Sequence, residues 1–229
     1  MKEGLDLKNM ILVGRIYEEY AQYFDFQSLS LENHKILDVA AGVSSFCTEA
    51  HDKNYDVLAA DPTYTMSAND LECRCQEDLN DMLSKLPEFM DNYRWELYKN
   101  LEGLRQYREK AYKKFISHFS KNPQHYAIES LPNLSFQDNA FTLTLTSYFL
   151  FLYDELFDYH FHRDSLLELS RVTSGEVRIY PLVNIKAMRS PFIERILNDE
   201  KCHHLKFEIK KVDFEFVKNA NELLIVKKT

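Results

Sequence analysis

Residues 35–64 hold two short apolar runs separated by a turn of small residues, and no other stretch limits so strongly what this chain can fold into. Ile36-Leu37-Asp38-Val39 has the apolar, β-branched composition of a strand buried on both faces of a parallel sheet. Ala40-Ala41-Gly42 then removes side-chain bulk where the chain must turn sharply, and Ser44 or Ser45 stands where a following helix would be capped. The second run, residues 55–60, delivers Asp61 twenty-three positions after Asp38. That is about the spacing at which a nucleotide-binding βαβ unit sets an acid on a ribose. A tight crossover without a ligand has the same local pattern, so the rest of the chain decides between them.

With 229 residues and 45% hydrophobic content the chain can bury one substantial core, and no Pro/Gly/Ser-rich linker divides it. One domain, 1–229, carrying an insert is the expectation. A formal charge of −8 argues against nucleic acid as the main partner, because phosphate binding needs a basic surface. Residues 1–6 lack the basic-then-apolar pattern of a signal peptide, and the most apolar run, 140–153, is short and rich in threonine and tyrosine. A soluble cytoplasmic protein with no membrane partner is expected. Cys47, Cys73, Cys75 and Cys202 show no paired metal-ligand spacing. Reduced cytosolic thiols and no metal are the simpler expectation; the alternative joins Cys73 and Cys75 with Cys202, His203 and His204 as a zinc site.

Residues 11–24 carry Val13, Ile16, Tyr17, Tyr20 and Phe24 at helical steps, which predicts a helix. Tyr17, Tyr20 and Tyr23 either pack in the core or offer ring faces to a cation. From 67 to 121 there is no strand-like run, only helical periodicity, as in Leu79, Met82, Leu83, Leu86 and later Leu101, Leu104, Ala111 and Phe115. This predicts two or three helices inserted between the second and third strands, with Pro87 opening one of them. Arg105, Arg108, Glu109, Lys110, Lys113 and Lys114 read as a solvated face, or else as a surface for an anionic substrate or a partner. A third strand is expected at 125–129 and a fourth at 141–146, with Ser147 and Tyr148 at its carboxyl end, where open parallel sheets bind ligands. Tyr153, Asp154, Glu155, Asp158, His160 and His162 follow, as helix caps or as a general base. A helix at 164–172, a fifth strand at 176–182 and a helix at 191–197 come next. Two strands, 205–216 and 222–227, close the chain around the turn Lys218-Asn219-Ala220-Asn221.

Taken together, the two acids, the small-residue turn and the terminal hairpin resemble the class I S-adenosylmethionine-dependent methyltransferases, in their small-molecule branch. The resemblance implies an α/β fold: a Rossmann-like, doubly wound seven-stranded sheet, mostly parallel with an antiparallel C-terminal strand, plus the helical insert at 67–121. It also implies S-adenosyl-L-methionine as cofactor. Asp38, Ala40, Gly42 and Ser44 would then form the turn beside its methionine part, with Ala40 and Ser44 where glycines are usual. Asp61 would bind the ribose hydroxyls and Pro62 would lie against the adenosine. Ser130 falls where the family often has an acid on the adenine amino group, Leu131 would offer its backbone N–H to the ring, and Ser147 and Tyr148 would complete the site. The reaction implied is methyl transfer to an unidentified small-molecule acceptor, with no catalytic residue assigned. Two alternatives remain at this stage: a non-catalytic protein that binds the cofactor on the same scaffold, and a nicotinamide-dependent oxidoreductase. The oxidoreductase would keep the glycine triplet and end its sheet in a parallel strand. The insert is expected to act as a lid, with Tyr93, Trp95 and Tyr107 over the mouth of the site, or to form a homodimer contact.

Overall fold

A computed structural model describes residues 10–229, so the composition of residues 1–6 lies outside the described residues. Seven strands form one sheet: β1 (Lys35–Val39), β2 (Asp56–Ala60), β3 (Tyr126–Ala127), β4 (Phe141–Ser147), β5 (Thr173–Tyr180), β6 (Leu205–Lys211) and β7 (Glu222–Lys228). Their order is β3-β2-β1-β4-β5-β7-β6. The pairs among β1 to β5 are parallel, and β7 runs antiparallel to both β5 and β6. Successive strand residues point to opposite faces, so Ile36 joins one core and Leu37 the other. The first core is covered by α1 (Tyr17–Tyr23), α2 (Phe46–His51) and the insert. The second is covered by α5 (Tyr159–Val172) and α6 (Phe192–Leu197).

The insert consists of α3 (Ala68–Lys85) and α4 (Leu101–Phe119), capped by the side chains of Ser67 and Asn100. Between them Pro87 opens only a 3-10 turn, Leu86–Asn92, which breaks at Phe89, instead of the helix expected there. The chain then pairs with the β6–β7 connection, where Arg94 N–H donates to the Phe216 carbonyl at 2.7 Å. The charged run on α4 is paired rather than vacant: Lys113 contacts Glu109 at 2.6 Å, Lys110 reaches Glu18 at 4.0 Å and Lys114 bonds Glu49. Arg108 does not belong to that surface at all. It is 2% exposed, and its guanidinium donates to both carboxylate oxygens of Glu19 at 2.8 Å, to the Tyr98 hydroxyl at 2.7 Å and to the Gly14 carbonyl at 3.1 Å.

Several boundaries differ from the sequence reading, each for a local reason. The first helix begins at Tyr17, not Ile11, because Gly14 lies against the turn after β1, where a Cβ would come within 2.1 Å of the Val43 carbonyl oxygen. Glu19 fixes the start by accepting the Ile16 N–H at 2.9 Å. Helix α5 begins at Tyr159, five residues early, since Asp158 caps it through the Phe161 N–H at 2.9 Å. Strand β3 keeps only two residues before the chain turns toward the rim of the sheet, and β5 stops ahead of Pro181. Strand β6 ends at Lys211. Phe214 and Phe216 leave the sheet and pack on the rings of Tyr180 and Tyr98. On β6, Lys206, Glu208 and Lys210 share one face, and Lys210 reaches back to Asp25.

Cys47, Cys75 and Cys202 are buried and Cys73 is exposed, all as free thiols. Among the described residues no group of His, Cys, Asp and Glu is set to hold a metal ion, and no helix is long and apolar enough to cross a membrane.

One cluster ties α2, α4 and the approach to β3 together. The rings of His51 and His125 lie 3.9 Å apart, with His118 at 5.8 Å and 5.7 Å from them. Burial and the neighbouring imidazoles hold His118 and His125 below the ordinary histidine range. The unfolded chain therefore binds more protons than the folded one below about pH 6.5, so this contribution is present above that pH and lost as pH falls. We expect the drop in melting temperature between about pH 7.5 and about pH 5.5 to be smaller in His125→Gln than in the wild type. Equal slopes in the two proteins would refute the assignment.

Candidate cofactor site

The turns after β1 and β2 are fastened to each other at the carboxyl edge of the sheet. Ala40 and Gly42 both adopt left-handed backbone, with φ of 55° and 54°. Glycine reaches that region freely, whereas an alanine there carries strain that the surrounding contacts must hold. The Gly42 N–H donates to Asp61 Oδ2 at 2.9 Å, and the Gly42 carbonyl accepts from the Tyr64 hydroxyl at 2.8 Å. Asp61 Oδ1 accepts from the Thr63 N–H at 2.9 Å and from the Thr63 hydroxyl at 2.5 Å, capping the 3-10 turn Pro62–Thr65. Burial pushes the Asp61 carboxyl upward, against the opposing effect of the Thr63 and Gly42 donors. A carboxylate offers about four acceptor positions; three are taken here, which leaves one for a ligand unless the Thr63 hydroxyl rotates away.

These turns border a cleft of about 780 Å³, counting its open mouth. Of the ten residues singled out from sequence, Ala40, Gly42, Ser44, Asp61, Pro62, Ser130, Leu131, Ser147 and Tyr148 all line it. Asp38 does not. It lies beneath the turn, 1% exposed, where Oδ2 accepts from the Tyr20 hydroxyl at 3.0 Å and Oδ1 has no partner. Tyr20 and Tyr23 are core residues, stacked on Phe46 and Tyr180, Tyr17 packs half-buried against the same core with Lys53 over its ring, and none of the three faces the cleft. Ser45 precedes α2 without capping it, its hydroxyl donating instead to Glu49 Oε2 at 2.8 Å.

One wall of the cleft comes from an extended strap, residues 10–15, which the helical periodicity concealed. The Leu12 N–H donates to Asp78 Oδ2 at 2.7 Å, and Arg74 Nη2 donates to the Met10 carbonyl at 2.9 Å, so α3 holds the strap from one side. Ser44 Oγ accepts the Arg15 N–H at 3.2 Å, and the Ser45 N–H donates to the Arg15 carbonyl at 2.9 Å, which holds it from the other. Arg15 is the residue that sequence reasoning missed. Its guanidinium carbon stands 3.5 Å from the centre of the Tyr148 ring, Nη1 donates to the Val13 carbonyl at 2.9 Å, and Nε has no partner. The one available signal was a lone arginine in an aromatic stretch. Glu129, beside Ser130, also lines the cleft, with its carboxylate accepting the Ser135 N–H at 3.0 Å.

The acids and histidines after β4 do not converge on the cleft. Asp154 accepts from Asn184 Nδ2 at 3.2 Å, Glu155 pairs with Lys186, Asp158 caps α5, and buried His162 bonds the Asp158 carbonyl through Nδ1 at 2.7 Å. Only Tyr153 of that group lines it. Tyr93, Trp95 and Tyr107 are likewise elsewhere, packed around Phe216 and Tyr98, and the insert's contribution to the lining is Arg74.

The strand order with β7 reversed, the small-residue turn after β1 and the acid ending β2 define a class I S-adenosylmethionine-dependent methyltransferase fold. The solved structures with which it aligns are similar to it at low identity. A Nostoc punctiforme protein named as a candidate O-methyltransferase aligns with a TM-score of 0.50 at 10% identity, over 93% of this chain and 57% of its own. Magnesium protoporphyrin IX methyltransferase from Synechocystis, solved with S-adenosylmethionine, aligns with a TM-score of 0.46 at 8% identity, over 90% of this chain and 75% of its own. At the level of sequence the chain belongs to the family of the uncharacterized protein MJ0045 of Methanocaldococcus jannaschii. The two are 36% identical over 225 residues, which cover 98% of this chain and 99% of the relative. No protein-family model matches the chain.

Proposed function

We propose that this protein is an S-adenosylmethionine-dependent methyltransferase acting on a small-molecule acceptor. The observation that carries the reading is the Gly42–Asp61 staple at the mouth of a cleft that also holds the uncompensated Nε of Arg15. The donor set fits the cofactor. Asp61 keeps an acceptor position for a ribose hydroxyl, and Arg15 supplies a fixed cation for the methionine carboxylate, where a guanidinium forms strong, directional bonds. Ala40 and Gly42 keep bulk away from the methionine chain, while Pro62 and Leu131 border the adenosine. Ser130 lacks the carboxylate expected for the adenine amino group, and the neighbouring Glu129 takes that role instead. When bound, the cofactor supplies a methyl group on a sulfonium for in-line displacement, so the protein's task is to align the partners and exclude water. The strap and α3 carry out that exclusion between them, and the insert acts as a lid through Arg74 and Asp78.

A second reading, binding without turnover on the same scaffold, is favoured by the acids and histidines after β4 being engaged away from the cleft. Calorimetric titration with S-adenosylmethionine, S-adenosylhomocysteine and NAD tests the cofactor assignment. The first two are expected to bind and NAD to give no heat; the reverse pattern would sink it. Methyl transfer from labelled cofactor into a panel of hydroxyl, amine and thiol acceptors then separates enzyme from binder.

A further inference from the structure

Asp38 is a buried acid that the proposed cofactor contacts leave unused, yet a line of hydroxyls joins it to the cleft. Ser147 Oγ, at the carboxyl end of β4 and in the cleft lining, donates to the Tyr20 hydroxyl at 3.2 Å, which donates to Asp38 Oδ2 at 3.0 Å. All three side chains are buried, and Tyr20 is wholly enclosed. A carboxylate with an orphan oxygen in such surroundings is costly as an anion unless a cation arrives. We propose that Asp38 is the terminal proton acceptor of methyl transfer, reached from the acceptor molecule through Ser147 and Tyr20, and that it ionises when the positively charged cofactor enters.

The inference rests on the cofactor reading above, and its chemistry balances. As the methyl carbon bonds to the acceptor heteroatom, the carbon–sulfur bond breaks and its electron pair stays on sulfur. The acceptor's proton passes to Ser147 Oγ, the Ser147 proton to the Tyr20 oxygen, and the Tyr20 proton to Asp38 Oδ2. One positive and one negative charge disappear together, so the cleft ends neutral. The titratable groups that face Asp38 are Tyr20 from α1, Cys47 from α2, and Asp61 and Tyr64 from the end of β2. None is a cation. Burial, helped by Asp61, raises the Asp38 carboxyl well above its ordinary range while the Tyr20 donor opposes it, in keeping with a neutral acid in the free protein.

The test counts protons and needs no acceptor. Titrating the full chain with S-adenosylmethionine in buffers of different ionisation enthalpy should show release of about one more proton than with S-adenosylhomocysteine, which shares its adenosine contacts but lacks the charge. Asp61 ionising on ribose contact would contribute equally to both ligands and cancel. Asp38→Asn should abolish the difference. Tyr20→Phe, which removes the donor favouring the anion, should move the pH midpoint of the extra release upward, and it remains informative if the asparagine variant does not fold. Equal proton counts for the two ligands from about pH 5 to about pH 9 would overturn the relay while leaving the cofactor assignment intact. Absence of binding by either ligand would remove both.

Discussion

Replacing Asp61 by alanine is expected to weaken S-adenosylhomocysteine binding about tenfold to a hundredfold, the effect of losing a charge-assisted hydrogen bond of roughly 1.5–3 kcal/mol. The same carboxylate also holds the Gly42 N–H and both donors of Thr63. The loss should therefore fall toward the upper end, because the turn that borders the ligand loosens as well. Gly42→Val should go further and take binding below detection. A Cβ at Gly42 would meet only Leu12 Cδ2, at 3.8 Å, so the protein has room for it. The penalty comes from a β-branched residue at a φ of 54° and from bulk on the ligand's path. Calorimetry gives the affinities, and a thermal melt verifies that each variant is folded. An unchanged affinity in Asp61→Ala would overturn the ribose contact, and retained binding in Gly42→Val would show that this turn does not face the ligand.

Arg108→Met should produce the largest loss of stability of any single change considered. It strands Glu19, which is 0% exposed, without its cation. Removing one member of a buried ion pair costs about 3–5 kcal/mol, and for a chain of this length that lowers the melting temperature by roughly 6–20 °C. The carboxylate also starts α1 through the Ile16 N–H and accepts from the Tyr98 hydroxyl. The disturbance thus spreads along the strap and the connection between α3 and α4. The pair replaced together, Glu19→Leu with Arg108→Met, should recover a good part of the loss, since an apolar pair needs no compensation for buried charge. A single variant melting within a degree or two of the wild type would contradict this account.

How much of this was legible beforehand follows from the range of the forces involved. The β1–turn–β2 unit and the terminal hairpin were readable because they are written in local composition, whereas the cleft residues came from the family resemblance those two features carry. Arg15, the strap and the burial of Arg108 were not. Val13 and Ile16 fall on helical steps, yet Gly14 must pack against Val43, a contact between residues far apart in the chain that only the folded turn creates. Arg108 lies among charged neighbours on α4, and only the position of Glu19 on a different helix turns it inward. Pro87 signals a helix start correctly in kind, but Phe89 adopts φ −127° and the segment is drawn to the β6–β7 connection.

The outer strand β6 has a consequence for how copies of this protein behave toward one another. A sheet edge exposes unpaired backbone donors and acceptors, a template on which a second chain can extend the sheet and seed aggregation. At one edge β3 offers just two residues, directly after the turn begun by Pro123. At the other, Lys206, Glu208 and Lys210 would have to surrender water before a neighbouring strand could approach, and Lys210 is already committed to Asp25. Both margins of the sheet are thereby poor templates for self-propagating growth.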